Sequence, residues 1–94
     1  MLKRITMNSI MDRIEKVSYL VIPETTVTLC MITMINGFSV RGESACVDPA
    51  AFNKALGEKF SYEDAFDQLW KLEGYLLKEK MYQENDAKEK LAPK

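Results

Sequence analysis

Two β-prone runs flank Asn36-Gly37 and organise the rest of the chain. Thr26 to Ile35 is rich in Thr, Val, Leu, Ile and Met, and Phe38 to Cys46 comes back with alternating character. Asn-Gly between two such runs marks a β-hairpin, because a two-residue type I′ turn needs φ > 0 at both central positions. That turn sets Ile35 opposite Phe38, Thr33 opposite Val40, Met31 opposite Gly42, Leu29 opposite Ser44 and Val27 opposite Cys46. Side chains alternate with period two, so these pairs share one face, which is apolar and is expected to be the core face. The other face then holds Met34/Ser39, Ile32/Arg41, Cys30/Glu43 and Thr28/Ala45. Its mixture of apolar and charged groups has two readings: cover by a partner or second subunit, or the general suitability of β-branched and sulfur side chains for strands.

Upstream, Thr6 can cap a helix over roughly Met7 to Lys16, with Ile10, Ile14 and Val17 at i, i+4, i+7 and Met7 and Met11 beside them as core filler. Ser18 to Ile22 reads as a first strand, and Pro23-Glu24 turns it into the hairpin, giving a three-stranded antiparallel meander. Downstream, Asp48-Pro49 marks a stop. Asn53 can cap a helix starting near Lys54, which Gly57 weakens slightly. Ser61 with Asp64 resembles a capping box, so whether the helix continues, bends or restarts at Phe60-Ser61 stays open. From Tyr62 to about Tyr82 the stripe is clean: Ala65, Phe66, Leu69, Trp70, Glu73, Leu76 and Leu77 follow 3/4 spacing. Asp67, Gln68, Lys71 and Lys78 lie off it. The pattern predicts an α+β fold: an N-terminal helix, a three-stranded antiparallel meander, and a long C-terminal helical segment packed on one sheet face. Residues 1–82 form the domain, and 83–94 are expected to be a polar, frayed tail.

Length and composition narrow the functional classes. A chain of 94 residues is one domain. A domain of this size buries only about 60–65% of its unfolded surface, which favours oligomerisation. Thirteen basic against fourteen acidic residues give a net charge of −1 without a basic block, which argues against duplex nucleic acid as a partner. No secretory leader and no long apolar run is present, so a soluble cytosolic protein away from membranes is expected. Cys30 and Cys46 fall on opposite faces of the hairpin in the register above, so both are expected as reduced thiols. The chain contains no histidine, which removes the commonest general base and metal ligand. No catalytic constellation, metal cluster or cofactor motif is expected.

Some residues break the pattern. Glu73 sits on the apolar stripe, where a carboxylate needs a partner: an internal salt bridge or cap, or else a ligand or a subunit. Gly42, Ser44 and Ala45 leave room on the sheet beside Glu43, to be filled by the C-terminal helix or by something else. Tyr75 falls off the stripe.

Taken together, Asn36-Gly37-Phe38, Val40, Gly42-Glu43-Ser44-Ala45-Cys46, Pro49, Phe52, Gly57, Lys59, Trp70 and Leu72-Glu73-Gly74-Tyr75-Leu76 resemble the phage gene-49/gene-66 family of small tailed-phage proteins, over about Thr6 to Met81. Two departures stand out: Ile35 where the family often has a basic residue, and Lys71 where it often has Pro. The resemblance implies a phage origin and a place in the host cytoplasm. It carries no activity, because the family's function is unknown. The expectation drawn from these observations is a non-enzymatic, homo-oligomeric binding protein that counters host defence by sequestering a small nucleotide signal between subunits. The alternative is an inhibitor that binds a host or phage protein through the exposed sheet face. Arg41, Glu43, Ser44, Glu73, Tyr75 and Ile32 are the expected ligand or interface residues.

Overall fold

The chain runs α1 (Met7–Met11), β1 (Ile14–Val21), β2 (Val27–Met34), β3 (Ser39–Ala45), a 3-10 turn (Pro49–Ala51) and α2 (Lys54–Leu91). This is a computed structural model that describes residues 4–91, with side chains as far as residue 86. Strand order is β1-β2-β3, all antiparallel. The fold is thus α+β, with α2 packed on one face of the meander.

Thr6 caps α1 reciprocally with Ser9. The Thr6 hydroxyl accepts from the Ser9 N–H at 3.0 Å, and the Ser9 hydroxyl accepts from the Thr6 N–H at 2.9 Å. The helix is shorter than its periodicity suggests, and β1 begins at Ile14 rather than Ser18. The i, i+4, i+7 spacing of Ile10, Ile14 and Val17 is split between two elements: Ile10 enters the core from α1, and the other two pack against it from β1. A backbone bond from the Ile35 N–H to the Arg13 carbonyl (2.9 Å) draws the chain into the sheet just before Ile14.

The hairpin register differs from the expected one by a single residue. The Met34 N–H donates to the Phe38 carbonyl (2.7 Å) and the Gly37 N–H to the Met34 carbonyl (2.8 Å). Gly37 has φ +90°, and the Phe38 N–H donates to the Asn36 side-chain oxygen. The loop is therefore Ile35-Asn36-Gly37, with glycine in the left-handed position that a three-residue hairpin requires. Ile32 stands opposite Val40, Cys30 opposite Gly42 and Thr28 opposite Ser44, so Leu29 faces Glu43 and not Ser44. One added loop residue reverses every β2 side chain while leaving β3 as expected. Thr28, Cys30, Ile32 and Met34 point to α2 and are buried. Ile32, expected at an interface, is a core residue with no exposure.

α2 passes through Phe60-Ser61 without a break, and the Ser61 hydroxyl bonds back to the Glu58 carbonyl (3.1 Å) instead of capping a new helix. Gly42 allows the closest approach: a Cβ there would collide with the Ala65 nitrogen and the Ser61 carbonyl of α2. Ser44 donates to the Gly57 carbonyl at 2.8 Å. The space over Gly42 and Ser44 is thus filled by the helix itself. Farther along, Phe66 and Leu69 join Ile10, Ile32, Met34 and Val40 in the core, and Phe66 meets Trp70 edge-on at 6.1 Å. At about 1.5 Å per residue, 38 helical residues reach roughly 57 Å. The molecule measures 70 × 20 × 17 Å, so α2 overhangs the sheet. Among the described residues no helix is long and apolar enough to cross a membrane.

Candidate functional site

Glu73 is held internally. Arg13, in the link between α1 and β1, donates Nε–H to Glu73 Oε1 at 2.8 Å. The Glu73 side chain is 10% exposed and that of Arg13 32%. The carboxylate on the apolar stripe thereby has the charge partner its burial demands. Arg13 also bonds through its carbonyl to Ile35, so one residue ties α1, the hairpin end and α2 together. Nothing in its sequence context marks Arg13, because its partner is sixty residues away.

The remaining expected residues divide between structural and exposed roles. Ser44 is engaged with Gly57. Glu43 and Arg41 carry their side chains on the sheet face away from α2, and both are exposed. One outward backbone group of each is taken by α2: the Glu43 N–H donates to Asp64 Oδ2 (2.9 Å), and the Arg41 carbonyl accepts from the Gln68 side-chain amide. Tyr75 is 73% exposed.

Along this seam between β3 and α2 lies an open groove of about 650 Å³. Arg41 and Lys71 line it together with Asp64, Asp67 and Gln68, and Phe38 and Leu72 form its apolar end. A second hollow of about 300 Å³ adjoins it through the same Phe38 and Leu72, and is bordered by Tyr75, Leu76 and Glu79. Phe38 is 57% exposed between the two. The groove thus offers the Lys71 cation, the Asp67 carboxylate and an aromatic ring on one concavity, with Arg41 at its β3 edge. Sequence reasoning singled out Arg41 but passed over Asp64, Gln68 and Lys71 as ingredients of a site. Their spacing of four and three residues places them on one helix edge, a signal present in the sequence.

Two other surfaces bear on function. Among the described residues nothing covers the sheet face away from α2, which carries Leu20, Val27, Leu29 and Met31, of which Leu20 is 59% exposed. On the inner side, Tyr19, Cys30 and Tyr62 form a protonated cluster. Burial, helped by the neighbouring Glu58, pushes the Cys30 thiol up, and burial with Cys30 nearby raises both phenols. Cys30 and Cys46 are free thiols, and Cys46 donates to the Asp48 carbonyl. Among the described residues no group of three or more His, Cys, Asp or Glu gathers in a way that could hold a metal ion.

A family model described as the phage protein (N4 Gp49/phage Sf6 gene 66) family matches residues 5–81, most of the chain. The chain belongs to this family. No curated protein and no solved structure matches it.

Proposed function

Taking membership of this phage family as the premise, we propose that the protein works inside the infected cell as a binding protein that counters host defence, holding a small nucleotide signal rather than transforming it. The observation that carries this reading is the β3–α2 groove, which Lys71 and Phe38 line together with Arg41 of the strand edge. Arg41 and Lys71 offer charge-assisted bonds to phosphate, and Phe38 offers a face on which a base can stack. Asp67 can accept from a base edge or ribose hydroxyl. Glu73 has no part in this contact, since Arg13 occupies it. Isothermal titration with cyclic dinucleotides and cyclic ADP-ribose-type signals tests the reading. Arg41→Glu with Lys71→Glu should weaken binding at least tenfold, about 1.4 kcal/mol or more. Absence of heat from the wild type with each ligand at about 1 mM removes sequestration of these signals.

One observation favours a second reading. The uncovered apolar face of Leu20, Val27, Leu29 and Met31 supports a protein partner, in the manner of exposed patches that mark interaction sites. Leu29→Glu should abolish such binding while leaving the nucleotide titration unchanged.

A further inference from the structure

The two edges of the sheet are treated differently by the rest of the chain. On β2, Met34 turns its backbone toward Phe38 of β3, and Val27 gives its carbonyl to the Ile22 N–H (3.0 Å) on the other side. Alternation then directs the backbone groups of Ser18, Leu20 and Ile22 into the sheet, and those of Val17, Tyr19 and Val21 outward. The β3 edge is partly occupied: Asp64 of α2 accepts from the Glu43 N–H, and Gln68 donates to the Arg41 carbonyl. The β1 edge is open: among the described residues no side chain, and no backbone group outside the sheet, bonds to the outward groups of Val17, Tyr19 and Val21. The described N-terminal residues do not cover it either, because Arg4, Ile5 and Ser9 lie along α2 beside Leu76 and Lys80.

We infer that a second copy of this chain pairs with β1, antiparallel and about a two-fold axis, to make one continuous six-stranded sheet. A strand antiparallel to itself gives a closed, isologous contact, so assembly stops at two. Only one register uses all three outward residues: Tyr19 opposite Tyr19 of the second copy, with Val17 opposite Val21 on either side. A shift one way sets Val17 against Pro23, which has no N–H, and a shift the other way sets Val21 against the irregularity at Glu15 between Ile14 and Lys16. The pairing brings the Leu20 side chains of the two copies diagonally together on the uncovered face and joins their Leu20–Leu29 strips into one. It also covers Tyr19, 40% exposed, and Leu20, the most exposed apolar residue of β1. A paired edge replaces a free one, which natural sheets otherwise protect with charge, proline or cover.

Sedimentation equilibrium and amide exchange test this without a ligand. The wild type should have twice the 10.8 kDa chain mass at micromolar concentration. The Val17, Tyr19 and Val21 amides should exchange at least tenfold more slowly in the dimer than after dilution to monomer. Val21→Pro removes one outward donor that the protomer does not use. It should weaken dimerisation at least tenfold with the thermal transition intact. A monomer at concentrations up to about 100 μM overturns the inference. So does a dimer whose three amides exchange as fast as in the monomer, whatever the behaviour of the proline variant. The seam on β3 lies at the opposite edge, so a failed nucleotide titration and a failed dimer are separate results.

Discussion

Gly42→Ala is the sharpest test of how this domain is packed. Gly42 has an ordinary strand φ, since the only glycine with positive φ is Gly37, so the substitution asks nothing of the backbone. The difficulty is space. The new methyl would overlap the Ala65 nitrogen and the Ser61 carbonyl, and would stand 2.9 Å from the Ala65 Cα. All three are backbone atoms in the middle of a helix, so no side chain can rotate away and α2 must lift off β3. Overpacking of this kind costs about 1–3 kcal/mol. Lifting also stretches the bonds from Asp64 to Glu43 and from Gln68 to Arg41, at about 1 kcal/mol each. The expected loss is about 3–5 kcal/mol, against about 5–15 kcal/mol for a whole domain, and a fall in Tm on the order of 20 °C. Gly74→Ala is the matched control. Nothing lies within 4 Å of its Cβ position, so helix propensity alone acts and should add about 0.5–1 kcal/mol. Urea titration followed by circular dichroism measures both. A Gly42→Ala protein within about 0.5 kcal/mol of wild type would refute the close helix–sheet approach.

Other expectations follow from the same contacts. Glu73→Gln should cost about 1–2 kcal/mol, below the usual range for a fully buried pair because Arg13 is partly exposed, and Arg13→Met with Glu73→Leu should recover most of it in a double-mutant cycle. In the native protein Cys46 should react with a thiol reagent within minutes and Cys30 should not, both reacting after denaturation, as counted by mass spectrometry. Stability should fall in alkali: Cys30, Tyr19 and Tyr62 hold their protons more tightly folded than unfolded, so the unfolded state binds fewer protons as pH rises past the ordinary 9.0 of the thiol and 10.0 of the phenols, and thermal melts from pH 8 to 11 should show the decline. Ile32→Glu should unfold the protomer, not merely separate subunits, as near-ultraviolet circular dichroism would reveal, because Ile32 has no exposure.

The elements were legible in the sequence because local chemistry dictates them. Asn36-Gly37 announced a hairpin, Pro23-Glu24 a second turn, and the stripe from Ala65 to Leu77 a helix with one buried face. The register was not legible. Asn-Gly suits both a two-residue turn and the last two places of a three-residue loop, and both β2 faces are apolar enough to be core, so hydrophobicity could not choose between them. The choice is made by tertiary packing: small Thr28 and Cys30 beside Gly42 admit the helix backbone, whereas Leu29 and Met31 would not. Glu73 was legible as a residue needing a partner, but Arg13 was not legible as that partner, since no local pattern links positions so far apart. The uncovered sheet face survives the correction with a new set of residues, Val27, Leu29 and Met31 in place of Thr28, Cys30 and Ile32.

The overhang of α2 divides that helix into two thermodynamic regions. Up to Glu73 each turn is pinned by the sheet or by Arg13, so opening it requires the global transition. Beyond Lys80, where Arg4 and Ile5 still border the helix, the described contacts include local pairs such as Gln83 with Glu79. A helical segment of that length is marginal in water by itself, because nucleation is costly and few bonds follow it. Heat should therefore unwind α2 from its distal end inward while the sheet remains intact. A melt read by helical signal alone would begin earlier and spread wider than one read from Trp70, and the gap between the two curves would measure how far the folded core extends along the rod.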